Sequence, residues 1–293
     1  MKMRWMLAGL SLVMAAAVGA APEPKKMTAE EFVASLKFQQ GDVELPGGMA
    51  KLKVPASFRY LGPQDAERVL VQAWGNPKGT GTLGMLFPAD VSPVSENSWG
   101  VVITFDEDGY VSDKDADTIK YDKLLAEMQE GVAEGNEARK KAGYPTLALV
   151  GWATPPRYDK STHKLYWAKE LAFNDQPEHT LNYNVRVLGR RGVLVLNAVS
   201  GMNQLAQIEK VMPDVIAFTE FNDGHRYADF NPSSDRVAAY GIAALIAGGV
   251  AAKAGLFAKL FALILAGKKF IIIGAVALFA FLAKFLKRKK PAT

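Results

Sequence analysis

Three residues that could support acid–base chemistry lie within one short segment of this 293-residue chain. His163, Lys169 and Glu170 fall in a stretch whose apolar and polar side chains alternate, which is typical of a β-strand. A histidine and a carboxylate could exchange protons with a substrate, and a lysine could stabilise negative charge, so these are candidate catalytic residues of a hydrolase. Alternation places Glu170 on the opposite face of the strand from His163 and Lys169, which is also typical of ordinary cross-strand charge pairing.

A candidate binding surface lies just before this segment, around Pro155 and Pro156. Trp152, Arg157 and Tyr158 flank the two prolines, which restrict the backbone, so this loop would lose little conformational entropy on binding a ligand. Half-buried tryptophans on strands more often contribute to packing within the sheet, and this interpretation stays open for Trp152.

The segment between residues 106 and 117 is rich in aspartate and partly matches a calcium-binding loop. Its candidate ligands are Asp106, Asp108, Asp113 and Asp115. When Gly109 is aligned with the glycine of an EF-hand loop, a threonine stands where the first aspartate is required, and an aspartate replaces the bidentate glutamate. We therefore predict a solvated turn without a metal, and keep a cation site as the alternative.

Other familiar motifs are missing from the sequence or lack their structural context. The chain has no cysteine and three histidines, which excludes thiol catalysis, iron–sulfur clusters and cysteine zinc sites. Residues 79–84 (GTGTLG) match a dinucleotide-binding loop, but the sequence after them predicts a strand where that motif needs a helix, so we predict a glycine turn. No GxSxG or HExxH motif occurs. We predict no cofactor, and we favour a non-enzymatic function over an enzymatic one.

Both ends of the chain are basic and apolar, whereas the middle is acidic. Residues 21–236 hold 24 basic and 30 acidic residues, and the two flanking segments hold basic residues but no acidic one. Residues 1–20 combine Lys2 and Arg4 with an apolar stretch and a small-residue cleavage site, which predicts a secretory signal peptide. Because no basic stripe lies in the acidic middle, we expect a membrane, and not nucleic acid, as the partner of these ends.

Two apolar runs follow residue 236. Residues 270–286 end at a basic tail, residues 287–293, whose side chains could reach lipid phosphates, and this pattern predicts a transmembrane helix. Residues 237–267 are rich in glycine and alanine, and we expect a first span that packs against the second. A single span, with the first run in the membrane interface, is the alternative. Two spans would place Lys268 and Lys269 in the cytoplasm and Thr293 in the periplasm.

The order of strand and helix patterns in the middle of the chain, residues 21–236, predicts one α+β domain in which helices pack on an antiparallel sheet. The predicted strands cover residues 41–45, 50–54, 83–87, 100–105, 146–153, 164–173, 180–188 and 193–199, and the predicted helices cover residues 27–36, 63–74, 122–141 and 204–217. Thr28 and Glu31 match a capping box at the start of the first helix. The last helix presents one apolar face to the sheet.

Five longer strings are distinctive: residues 109–129 (GYVSDKDADTIKYDKLLAEMQ), 143–159 (GYPTLALVGWATPPRYD), 165–171 (LYWAKEL), 181–199 (LNYNVRVLGRRGVLVLNAV) and 226–241 (RYADFNPSSDRVAAYG). They resemble the bacterial membrane-anchored family known as domain of unknown function 2167. The resemblance implies a secreted, membrane-tethered protein of Gram-negative bacteria, and it brings no activity, ligand or catalytic residue. The order of strands and helix over residues 147–221 is also similar to the Mog1/PsbP-like fold, a likeness of architecture that assigns no function.

These features together predict a protein of the cell envelope. We expect a periplasmic binding or scaffolding domain held at the inner membrane of a Gram-negative bacterium, with membrane lipid and an envelope protein as its partners. A membrane-tethered hydrolase that acts in the periplasm is the alternative.

Overall fold

The computed structural model describes residues 27–76, 78–174 and 176–248. The chain divides into two compact units, the first described over residues 27–35 and the second over residues 36–248. The first unit contains helix α1 (Ala29–Ala34). The Thr28 hydroxyl accepts a hydrogen bond from the Glu31 amide at 3.2 Å, and the Glu31 carboxylate accepts one from the Thr28 amide at 2.9 Å. The predicted capping box is therefore confirmed at the start of this helix.

The second unit is built on an eight-stranded sheet. Its strands, in spatial order, are β1 (Phe38–Gln39), β4 (Phe58–Leu61), β5 (Gly84–Pro88), β6 (Gly100–Asp106), β11 (Val193–Gly201), β10 (Thr180–Leu188), β9 (Lys164–Phe173) and β8 (Leu147–Asp159). Each strand runs antiparallel to its neighbours. The predicted α+β class with an antiparallel sheet is confirmed.

Further elements of the second unit pack around this sheet. Strands β2 (Gly41–Glu44), β3 (Ala50–Val54) and β12 (Thr219–Phe221) form a smaller antiparallel sheet, and β7 (Tyr110–Ser112) pairs in parallel with β13 (Val237–Gly241). The helices are α2 (Pro63–Arg68), which continues as a π-helix over Val69–Ala73, α3 (Tyr121–Lys141), α4 (Leu205–Ala217) and α5 (Ile242–Ala247).

The large sheet buries apolar side chains on both of its faces. On one face, Val185 belongs to an apolar cluster with Ile208 and Met212 of α4, as the apolar face of the predicted helix implies. On the other face, Leu165 and Trp167 belong to a second cluster that includes side chains of α3 and α5. Because successive residues of a strand point to opposite faces, the even-numbered residues of β10 share the face of this second cluster.

Strand β8 is longer than predicted, because it continues through Pro155 and Pro156. The prediction ended at residue 153, whereas the strand ends at Asp159, and its pairing with β9 shifts register between Leu149 and Arg157. A proline has no amide hydrogen to donate, and it is tolerated here because β8 is an edge strand of the sheet.

The structure corrects the predicted start of the first C-terminal apolar helix. Residues 237–241 form strand β13, because they pair with β7, and the helix begins only at Ile242. The side chains of Ile242, Leu245 and Ile246 are buried in the second apolar cluster, so the folded domain continues past its predicted end at residue 236. Among the described residues, no helix is long and apolar enough to cross a membrane. The remainder of residues 237–267, both other C-terminal predictions (270–286 and 287–293) and the signal peptide (1–20) lie outside the described residues.

Candidate functional site

A hydrogen-bonded group, which we call the phenol cluster, is formed by Asp113, Tyr158 and His163. Asp113 is one of the candidate cation ligands, Tyr158 one of the binding candidates and His163 one of the catalytic candidates. The Tyr158 hydroxyl donates a hydrogen bond to Asp113 Oδ2 at 2.9 Å and lies 3.3 Å from His163 Nδ1. His163 Nδ1 lies 3.8 Å from the same carboxylate oxygen. The β8–β9 hairpin brings Tyr158 and His163 together, and the loop after β7 supplies Asp113.

An aromatic stack packs against the phenol cluster. The ring centroids of His163 and Tyr227 are 4.1 Å apart, Tyr110 stacks on Tyr227 at 4.4 Å, and Phe230 stacks on Tyr110 at 3.9 Å. The Tyr227 hydroxyl donates a hydrogen bond to the Val111 carbonyl at 3.1 Å. These contacts fix the plane of the imidazole and leave 33% of the His163 side chain exposed.

His163 has a left-handed backbone, with φ of 52°, and the hairpin turn explains this conformation. The amide and hydroxyl of Ser161 both donate hydrogen bonds to Asp159 Oδ1, at 2.9 and 2.7 Å, and close the turn just before His163. Histidine enters the left-handed region more readily than most side chains do. The turn therefore fixes where the imidazole leaves the backbone, next to the Tyr158 hydroxyl.

Tyr158 of the phenol cluster and the adjacent Tyr227 both hold their phenol protons firmly. Burial, the hydrogen bond to Asp113 and the negative charge of that carboxylate all raise the pKa of Tyr158. Burial and a hydrogen bond with Tyr110 likewise raise the pKa of Tyr227. A phenol that stays neutral at pH 7 is a hydrogen-bond donor and a poor nucleophile. The arrangement therefore suits recognition of a ligand better than covalent catalysis.

The structure separates Glu170 from His163 and pairs it with a different histidine. His179 Nδ1 lies 2.5 Å from Glu170 Oε1, on the face of β9 opposite to that of Lys169. The pair lines an open pocket of about 330 Å³ together with Met202. Sequence analysis does not single out His179, because only the antiparallel pairing of β9 with β10 brings it back to Glu170.

Lys169 lies on the same face as the second apolar cluster, directly opposite Trp152 in the register of β9 with β8. Burial and the positive charge of Arg186 lower the pKa of Lys169 to about 8. Trp152 is half-buried, and its indole Nε1 has no hydrogen-bond partner among the described residues. Lys169 and Trp152 therefore form a group of their own, separate from the phenol cluster.

Arg157 differs from the other two binding candidates in its surroundings. Its side chain is exposed, and its guanidinium carbon lies 5.0 Å from the centre of the Tyr166 ring. The nearby Thr154 hydroxyl donates a hydrogen bond to Glu209 of α4 at 2.6 Å. The three candidates Trp152, Arg157 and Tyr158 are thus placed in three different environments along β8.

The four aspartates of the acidic segment have separate surroundings. Asp108 accepts a hydrogen bond from the Tyr240 hydroxyl at 2.6 Å, and Asp115 accepts hydrogen bonds from the first two amides of α5 at 3.0 and 3.2 Å. Asp113 belongs to the phenol cluster, and Asp106 is exposed at the end of β6. Within residues 27–76, 78–174 and 176–248, no three histidine, aspartate or glutamate side chains are placed to hold a metal ion. Two of these carboxylates instead fasten the segment to β13 and α5.

Residues 79–84 form the predicted glycine turn. The Glu67 carboxylate accepts hydrogen bonds from the Gly79 amide at 2.6 Å and from the Thr80 hydroxyl at 2.5 Å. A carboxylate therefore takes the donors that would face a phosphate in a dinucleotide loop. Strand β5 follows the turn, as the sequence predicted.

Sequence analysis missed an ion-pair network around Asp235. The side chain of Asp235 is 1% exposed, and one of its carboxylate oxygens accepts a hydrogen bond from Arg190 Nε at 2.6 Å. The other carboxylate oxygen lies 3.5 Å from Arg191 Nε. The network joins the β10–β11 turn to the segment before β13, and the separation of 45 residues between Arg190 and Asp235 leaves no local signal in the sequence.

Comparisons with known proteins find one family and several distant structural likenesses. Residues 37–279 match the family described as "Protein of unknown function (DUF2167)". A comparison with curated proteins found no match.

Three solved structures illustrate the likeness of fold. PsbP (CyanoP) from Synechocystis sp. PCC 6803 is 9% identical, with 72% of this chain and 99% of that chain covered and a TM-score of 0.35. The Saccharomyces cerevisiae Ran-binding protein Mog1p is 10% identical, with 67% and 100% covered and a TM-score of 0.34. LpqN, involved in cell envelope biogenesis of Mycobacterium tuberculosis, is 13% identical, with 67% and 97% covered and a TM-score of 0.32. Both names of the fold that the sequence resembles occur among these structures, and we draw no function from the likeness.

Proposed function

The chain belongs to the DUF2167 family of proteins of unknown function, and from this premise we propose that it is a binding or scaffolding protein of the Gram-negative cell envelope. Its folded domain would lie in the periplasm and be tethered to the inner membrane by the apolar segments that follow residue 248. Membrane lipid around those segments and a protein of the envelope are its proposed partners.

The arrangement of the phenol cluster carries the preference for binding over catalysis. Tyr158 is engaged with Asp113 as a neutral donor, and Tyr227 packs against the His163 ring in a tilted arrangement. The exposed part of the imidazole can donate or accept a hydrogen bond, and the fixed aromatic rings around it give a partner a rigid surface. Such a surface can recognise a polar group at low entropic cost.

The sequence supports the proposed location. Residues 1–20 have the form of a signal peptide, and the apolar run over residues 270–286, which has Lys284 as its one charged residue, has about the length of a membrane span. The acidic domain between them would be repelled by anionic headgroups, so that a tether and not a basic surface would hold it at the membrane.

The alternative function, a membrane-tethered hydrolase, required His163, Lys169 and Glu170 to act together. In the structure, His163 belongs to the phenol cluster, Glu170 pairs with His179, and Lys169 lies on the opposite face of β9 from Glu170. No observation on the described residues therefore favours this alternative over binding.

Site-specific photo-crosslinking in intact cells tests the proposal. A photoreactive residue at exposed Thr162, beside His163, should capture a defined envelope protein, whereas one at exposed Glu134 on α3 should not. His163→Asn should weaken the capture while keeping the turn, because asparagine also tolerates the left-handed backbone. Turnover of an ester, phosphate, peptide or glycan substrate that His163→Asn abolishes would show an enzyme and contradict the proposal.

A further inference from the structure

Four side chains that carry hydrogen-bond donors share one face of the large sheet, at a distance from the phenol cluster along β8 and β9. They belong to Trp152, Lys169, Trp167 and Arg186, which we call the donor patch. The register places Trp152, Lys169 and Asn182 side by side in one row across β8, β9 and β10. Trp167 lies two residues before Lys169 on the same face of β9, and Arg186 lies on the corresponding face of β10.

The four side chains of the donor patch supply hydrogen-bond donors, and none of them is negatively charged. Among the described residues, the indole Nε1 atoms of Trp152 and Trp167 are buried without a hydrogen-bond partner. Arg186 donates one hydrogen bond to the Val185 carbonyl at 3.2 Å. Lys169 makes no hydrogen bond or ion pair with any described residue. Buried donors without partners are rare in folded proteins, because each loses its hydrogen bonds to water and gains nothing in return.

The two cations of the donor patch lie close enough to repel each other. The guanidinium carbon of Arg186 is 4.9 Å from the centre of the Trp167 ring, which stands between the rows of Arg186 and Lys169. The positive charge of Arg186 adds to burial in lowering the pKa of Lys169, and burial also lowers the pKa of Arg186 to about 10. Two like charges held together in a partly buried site repel each other, and a bound anion would offset this repulsion.

Among the described residues, no acidic side chain forms an ion pair with Lys169 or Arg186. The charge of Asp106 acts on Arg186, but no ion pair forms between the two side chains. Of the 30 acidic side chains, Glu23 and Asp175 are the ones that lie outside the described residues. The C-terminal segment that follows residue 236 contains no acidic side chain at all.

We propose that the donor patch binds a phosphate group, either free or as part of a lipid headgroup. A phosphate offers several acceptor oxygens, which matches the lysine, the guanidinium and the two indole donors better than the two oxygens of a carboxylate do. The aromatic faces of Trp152 and Trp167 would line the site beside the charged group. The proposal does not depend on the phenol cluster or on the proposed function.

Titration of the full-length protein in neutral detergent tests this inference. The probes are inorganic phosphate and the short-chain anionic lipid dioctanoyl phosphatidylglycerol, and the readouts are tryptophan fluorescence and calorimetry. We expect saturable binding that Lys169→Met and Arg186→Met each weaken by about tenfold or more. Binding of both probes would identify free phosphate as a sufficient ligand, and binding of the lipid alone would identify the headgroup.

The matched control is Lys164→Met. Lys164 lies on the same strand and is also half-buried with a lowered pKa, but it is on the opposite face of the sheet. It should leave the binding unchanged. Lys169→Met should fold, with a melting temperature at least equal to that of the natural protein, because it removes an unpaired charge from the interior. An equal loss of binding in Lys164→Met, or no saturable binding of either probe, would overturn the proposal.

Discussion

At the scale of the residue, the Tyr158 hydroxyl stabilises the domain because it satisfies a half-buried carboxylate. Tyr158→Phe would leave Asp113 Oδ2 without this donor, since the hydrogen bond of 2.9 Å would be lost. We expect the free energy of unfolding to fall by about 1–2 kcal/mol in urea denaturation. Tyr144→Phe is the control, because Tyr144 is an exposed residue whose hydroxyl makes no hydrogen bond among the described residues. Equal stability of both variants would contradict this role.

A second residue-scale prediction concerns Asp235 and acid. Its hydrogen bond from Arg190, with the Asn231 amide and the charge of Arg191, lowers the pKa of Asp235 to about 2. Because the folded pKa lies below the unfolded value of about 3.9, the contribution of Asp235 to stability is complete above about pH 4 and is lost as the pH falls to about 2. Asp235→Asn should lower the urea midpoint at pH 7 and flatten its fall between pH 4 and pH 2.

Asp42→Asn is the control for this measurement, since Asp42 makes no side-chain hydrogen bond or ion pair among the described residues. It should follow the pH dependence of the natural protein. If Asp235→Asn and the natural protein lose stability in parallel between pH 4 and pH 2, other carboxylates govern the acid sensitivity.

At the scale of the element, α5 depends on a close approach between Asp115 and Gly241. Asp115 accepts hydrogen bonds from the first two amides of α5, and a Cβ on Gly241 would lie 2.5 Å from Asp115 Oδ1. Gly241→Ala should therefore displace the carboxylate and destabilise the domain by about 1–3 kcal/mol. Gly131→Ala is the matched control in open space within α3, where alanine should stabilise the helix by about 0.5–1 kcal/mol. Thermal unfolding of both variants checks the opposite signs.

The elements that the sequence predicts well are those with a strong local pattern. Strands β9 and β10 have the predicted bounds, and the capping box of Thr28 and Glu31 is confirmed. Strand β13 shows the limit of such patterns, because VAAYG has the composition of an apolar helix and becomes extended only through pairing with β7. A partner more than a hundred residues away decides its conformation, and nothing local reveals it.

The candidate site follows the same rule. Its residues were recognisable by type, since His163 and Tyr158 lie near each other in the sequence and on one hairpin. Their grouping was not, because Asp113 arrives from the loop after β7 and the stacked rings of Tyr110 and Tyr227 come from segments far apart. Glu170 shows the reverse case, in which neighbours in sequence point to opposite faces of the strand.

At the scale of the whole molecule, the two faces of the large sheet have different chemistry. The face under α4 is mainly apolar and also carries Lys164 and Glu170, whereas the other face combines the second apolar cluster with the donor patch and, at its end, the phenol cluster. Helix α4 therefore serves stability, and most of the functional candidates lie on the face that α5 also covers. Because α5 immediately precedes the segment proposed as the tether, the face that α5 covers would lie next to the point where the tether begins.

The position of α5 sets where the tether can be cut from the domain. A chain that stops after residue 236 would lose β13 and the buried Ile242, Leu245 and Ile246. Each such side chain contributes about 1.5–3 kcal/mol, and the sum is comparable to the whole stability of a typical domain, about 5–15 kcal/mol. We therefore expect a chain ending at residue 236 to be degraded or insoluble in the periplasm.

A chain that stops after residue 248 keeps α5 and removes the apolar run over residues 270–286. We expect it to accumulate as a folded protein in the periplasmic fraction, because its remaining surface is acidic and nothing then inserts in lipid. Fractionation with a high-salt wash, together with circular dichroism of the released protein, compares the two truncations. If the chain ending at residue 248 still pellets with membranes, the folded domain itself binds lipid and the proposed tether is not what holds it.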